Sequence, residues 1–183
     1  MIQFTHKKSH AFTLIELLTV IAVIAILAGI LTPVASGVIR QSRIASSKAR
    51  LWQYITALES FKAEYNYYPQ VYTKDANNNG LIDLSTNSAN FIKVLSGVDA
   101  AGGNFRKIRF YSFSENEFEN QDSTTDQLSD QFNNTAIFIM VDLDGDGIIN
   151  PDSDDPESPG EISGTATAWV EAAGNSPGYA LWD

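Results

Sequence analysis

The sequence predicts an α+β protein in which one long N-terminal helix, membrane-spanning in its first half and amphipathic in its second, packs on a small antiparallel sheet. Three observations predict it. The run from Phe12 to Leu31 is apolar almost throughout, and about 20 such residues suffice to cross a bilayer as a helix. Beyond it Ile44, Leu51, Ile55, Leu58, Phe61 and Tyr65 recur at helical spacing, the stripe of a helix with one buried face. After Pro69 come short β-rich runs separated by turn residues, the pattern of an antiparallel sheet. The divisions that follow are a basic leader over 1–11, an apolar helix over 12–39, an amphipathic stalk over 40–68 and a globular head with acidic loops over 69–183.

Residues 1–11 are polar and basic, with His6, Lys7, Lys8 and His10. An ordinary secretory signal would carry a shorter apolar region ending in a small-residue cleavage site; Val34-Ala35-Ser36 offers that alternative. From Phe12 the chain can stay helical to about Tyr65, with an interruption at Pro33, which removes a backbone hydrogen bond and kinks or loosens a helix. Leaving the membrane near Leu31 explains the same feature. Tyr67-Tyr68-Pro69 ends the helix, because a residue before proline is pushed out of the α region. In the head, Asn90 to Leu95 predicts a short helix. Lys107 to Phe113 alternates as a half-buried strand, Ala136 to Val141 reads as a buried one, and Thr165 to Val170 and Gly178 to Trp182 pair beside them. Glu115 to Asp130 has no period and is expected to be a mobile loop.

Charge and composition exclude several classes. The net charge is -10, and no Lys or Arg follows Arg109, so the second half of the chain repels phosphate backbones and no nucleic acid is expected as a partner. There is no cysteine, and both histidines precede Phe12. Past the leader the usual nucleophile–base pairs are therefore missing, and an enzyme is not expected. A membrane-anchored hydrolase built on paired carboxylates is the remote alternative, with no spacing that singles out a pair.

Glu16 is the anomaly of the apolar run. A carboxylate inside a spanning helix costs about 2.5–3.5 kcal/mol or more unless it finds a cation. Thr13 and Glu16 also have the spacing of a capping box, which explains Glu16 locally. The flanking charges do not fix orientation, since Arg40, Arg43, Lys48 and Arg50 compete with Lys7 and Lys8.

The segment Ala11-Phe12-Thr13-Leu14-Ile15-Glu16 after a basic leader resembles the cleavage and methylation segment of the type IV pilin superfamily, which includes the pseudopilins of type II secretion. Phe61-Lys62-Ala63-Glu64-Tyr65-Asn66-Tyr67-Tyr68-Pro69 resembles the helix end of the major, G-type pseudopilins, and Pro33 sits where pilin-like helices carry a proline. The resemblance implies cleavage between Ala11 and Phe12 by a prepilin peptidase, although Ala11 stands where the family more often has glycine. It also implies N-methylation of Phe12 and an assembly role for Glu16, Phe12 and Pro33, with Glu16 meeting the freed amine of a neighbouring subunit. The implied setting is the bacterial inner membrane, single-pass, with a periplasmic head. The implied partners are membrane lipid before assembly, an inner-membrane assembly platform, and further copies of the chain and sibling pseudopilins in the filament. The implied function is a structural subunit of a type II secretion pseudopilus; a type IV pilin for adhesion, motility or DNA uptake is the alternative.

Two loops have the spacing of calcium ligands. Asp142, Asp144 and Asp146, then Gly147 and the carbonyl of Ile148, match the opening of an EF-hand loop. Its twelfth position is Ser153 in place of glutamate, so Asp152, Asp154 or Asp155 would have to complete a Ca2+ shell. A solvated Asx-turn explains the same residues. Asp75, Asn77, Asn79, Leu81 and Asp83 repeat the spacing with amides for two carboxylates, which implies a second, weaker site or turns alone.

Overall fold

The computed structural model describes residues 12–98, 100–151 and 159–182, with the side chains of 31–35 and 101 excepted. It is α+β, with a long helix whose later part packs on a small antiparallel sheet. The chain divides into two compact units, Met1–Ser42 and Arg43–Asp183.

In the first unit, helix α1 (Leu14–Tyr65) begins. Its apolar side chains from Leu14 to Ile30 stand exposed on every side, Leu14 at 81% and Ile21 at 57%. The helix continues through Pro33 as a single element, where the sequence predicts an interruption. A proline deletes one backbone hydrogen bond, and the turns on either side retain their own. Among the described residues no helix is long and apolar enough to cross a membrane; the side chains of 31–35 lie outside them.

In the second unit the expected stripe is the buried face of α1. Leu51, Ile55, Leu58 and Phe61 are buried, and Ile44 and Tyr65 pack at its margins. Tyr54 and Ala57 join them. Arg50, which the spacing places off the stripe, is buried as well, and its guanidinium donates to the Ser129 carbonyl at 3.1 Å. Asn66 closes the helix at φ 64°, its amide donating to the Lys62 carbonyl, a left-handed cap that asparagine tolerates.

The sheet is antiparallel throughout. Its order is β1 (Thr73–Lys74), β2 (Asn79–Asp83), β3 (Ile137–Asp142), β6 (Ala166–Val170) and β7 (Tyr179–Ala180); β4 (Ile148–Ile149) pairs separately with β5 (Ile162–Ser163). Ile82 faces Ile139, which faces Ala168, and these side chains meet α1 and α2 in one core. Helix α2 (Leu84–Ser96) is longer than the predicted 90–95 because Asp83 caps it, accepting from the Ser85 amide at 2.8 Å, while Gly97 ends it at φ 69°.

Two expectations are corrected. Lys107 to Phe113 alternates as predicted, with Phe110, Tyr111 and Phe113 against the core, yet it forms no strand. The amides of Phe110 and Tyr111 both donate to the carbonyl of Leu95 at the end of α2, so the hydrogen bonds that would have built a ladder go to a helix terminus. Glu115 to Asp130 is a series of short 3-10 turns and not a featureless loop. Glu117 is buried there, accepting from Tyr54 at 2.7 Å, Tyr111 at 3.0 Å and the Ser114 amide at 2.9 Å, and Phe118 bridges Leu128.

Candidate functional site

The first candidate is the start of α1. The Thr13 amide donates to Glu16 Oε2 at 2.9 Å and its hydroxyl to the same oxygen at 2.7 Å, while the Glu16 amide donates to Thr13 Oγ1 at 3.3 Å. The capping box is therefore formed, and it satisfies donors that the first helical turn otherwise leaves orphaned. Phe12 precedes it, 79% exposed. Ala11, the expected residue before the cleavage point, lies outside the described residues, as do the basic leader residues.

The second candidate is the loop after β3. Asp142 Oδ1 accepts from the Gly145 amide at 2.7 Å and Oδ2 from the Gly147 amide at 2.9 Å; Asp146 Oδ1 accepts from Ile148 at 2.8 Å. Gly145 and Gly147 take φ of 80° and 78°, a region that glycine enters without strain. This backbone folds three carboxylates together, so that one oxygen from each of Asp142, Asp144 and Asp146 lies within 4.8 Å of the others. Burial acts to raise the Asp142 carboxyl, but the amides of Gly147 and Gly145, a hydrogen bond with Asp144 and the charge of Lys62 together hold it below the ordinary carboxylate range. A cluster of anions this close favours a cation among them, and an all-oxygen donor set suits a hard ion such as calcium. Asp152, Asp154 and Asp155 lie outside the described residues. Ile148 opens β4, so strands flank the loop where an EF-hand has helices.

The third candidate is the link between β1 and β2. Asp75 Oδ1 accepts the amides of Asn77 at 2.9 Å and Asn79 at 2.7 Å, making an Asx-turn that joins β1 to β2. Leu81 sits in β2 opposite Thr73, and Asp83 is committed to capping α2. Asn79 is only 1% exposed, and its Oδ1 has no hydrogen-bond partner, a condition that costs about 1–3 kcal/mol if nothing relieves it. The sequence gives no local signal of this, because burial of Asn79 depends on which strand lies beside β2.

Helix and sheet together define a pilin-like α+β arrangement. Residues 6–32 match the family model of the prokaryotic N-terminal methylation motif, and the match fits the type IV pilin and pseudopilin family. It points to a structural subunit processed by prepilin peptidase and assembled into filaments. No curated protein and no solved structure matches the chain.

Proposed function

We propose that the chain is a subunit of a type II secretion pseudopilus, held in the inner membrane by residues 12–39 until it is assembled, with its head in the periplasm. The observation that carries the reading is the methylation motif over residues 6–32. Apolar side chains exposed on all sides of the helix that follows support it, since they need lipid or neighbouring helices as cover. The resemblance of residues 61–69 to the helix end of the major pseudopilins is what favours the secretion branch.

In this reading prepilin peptidase cuts between Ala11 and Phe12 and Phe12 is N-methylated. Cleavage frees an amine beside the capping box, and in the filament the Glu16 carboxylate meets the amine of the next subunit, which neutralises it out of water. The Asp142, Asp144 and Asp146 loop, with the Ile148 carbonyl, holds calcium that stiffens the head.

Deleting the gene tests the assignment: export of secreted proteins stops, while twitching, adhesion and DNA uptake continue. The opposite pattern sinks the secretion reading. For the assembly site, Glu16→Val leaves the subunit in the membrane and abolishes filaments. Amino-terminal sequencing of the mature protein must begin at Phe12, and any other start overturns the processing step.

A further inference from the structure

The two turn-rich loops that the sequence sets apart come together at one end of the sheet. Asn79, the first residue of β2, is paired with Asp142, the last of β3. Opposed residues of an antiparallel pair send their side chains to the same face. Ile82 and Ile139 are another such pair and lie in the core. Three steps along each strand reverses the face, so Asn79 and Asp142 share the side away from that core. Met140 shares it by the same alternation. It is buried, as is Ile149 of β4, and neither belongs to the main core cluster. The chain that leaves Asp142 returns as β4, which lies against β3.

Asn79 is buried and its Oδ1 has no donor, and its cross-strand neighbour Asp142 offers only carboxylate oxygens, already oriented by the Gly145 and Gly147 amides. An amide oxygen and a carboxylate side by side repel unless a cation or a donor lies between them. We propose that Asn79 Oδ1 is a fourth protein side-chain ligand of a cation held by Asp142, Asp144 and Asp146, so that the two loops form one composite site clamping β2 to β3. This rests on the calcium reading of the Asp142 loop. It draws Asn79 out of the second site, whose Asp75 and Asp83 accept backbone amides at a turn and at a helix cap.

Calcium titration of the full chain in detergent, followed by calorimetry and by Tm with and without chelator, tests it. One calcium per chain is expected, and Asp144→Asn weakens it. Asn79→Leu weakens binding by about tenfold or more and shrinks the calcium-dependent rise in Tm, whereas Asn79→Asp, which adds ligand charge, tightens binding. If Asn79→Leu does not fold, the Asn79→Asp arm decides. Wild-type affinity in the Asn79 variants, with binding lost in Asp144→Asn, overturns the proposal and leaves the loop site standing; the amide then turns its Nδ2 to Asp142. Two calcium ions per chain, one lost in Asp75→Asn, overturns the composite site. No calcium response in the wild type overturns both readings.

Discussion

The apolar residues of α1 before Ser42 and those after Arg43 are chemically alike, and their surroundings are opposite. Ile21 is 57% exposed, while Phe61 is fully buried. The earlier residues are apolar around the whole helix and find no cover among the described residues; the later ones form a stripe that α2 and the sheet enclose. Hydropathy alone does not distinguish such regions, but period does. An apolar surface without a polar face is built for lipid or for other helices, and a stripe is built for the chain's own core.

The largest effect breaks this comparison directly. Phe61→Ala removes a fully buried ring that touches Tyr65, Tyr67 and Phe110 and is expected to cost about 3–5 kcal/mol in urea unfolding of the full chain in detergent. Ile21→Ala is expected to change the same measurement by less than about 0.5 kcal/mol. Equal losses would mean that the first unit has a covering partner within the chain.

A smaller loss is expected at Glu117. Glu117→Ala leaves the Tyr54 hydroxyl and the Ser114 amide without their acceptor and leaves Tyr111 with only Gln53 to accept from it, which costs about 2–3 kcal/mol. Glu117→Gln keeps an acceptor oxygen and should lose less, so the difference between the two in the same unfolding assay measures the polar network apart from packing.

The elements that were legible are those whose pattern is local. The stripe from Ile44 to Tyr65, the buried run of β3 and the alternation in β6 each announce a face. Lys107 to Phe113 announced its face correctly and its secondary structure wrongly, because its backbone partner is Leu95 at a helix end and not another strand. Glu117 and Leu128 were invisible because a 3-10 turn buries single residues with no period to count. The site divides in the same way. The spacing of Asp142, Asp144 and Asp146 is local and their approach follows from it, whereas the position of Asn79 opposite Asp142 is a matter of strand register between distant segments.

Alkaline pH tests the buried network without mutation. Burial raises the Tyr54 hydroxyl, and the Glu117 charge raises it further; burial and the same carboxylate raise Tyr111, and burial leads the upward shift of Tyr179 beside Asp130. Each folded pKa lies above its unfolded value, so the stability these groups contribute is complete below pH about 10 and is lost as the pH climbs toward the raised folded values. Tm is expected to be flat in this respect up to pH about 10 and to fall beyond it, with tyrosinate absorbance rising only as the protein unfolds. Tyrosinate that forms near pH 10 in the folded chain would show that the hydroxyls are open to water.

Two glycines, one in each region, sharpen the comparison further. Gly97 lies at φ 69°, and a Cβ there would meet the Lys107 carbonyl oxygen at 2.6 Å, so Gly97→Ala is expected to destabilise by about 1–2 kcal/mol for the backbone alone, plus the clash. Gly29 lies within α1 with nothing within 4 Å. Gly29→Ala should raise helix stability by up to about 1 kcal/mol in the isolated subunit. The discriminating readout is assembly, because small residues permit close helix approach. If Gly29→Ala leaves the detergent-solubilised subunit intact and still lowers filament yield, the space beside Gly29 is taken by a neighbour, and the first region differs from the second in finding its core between chains. Unchanged yield would place lipid or solvent at that face.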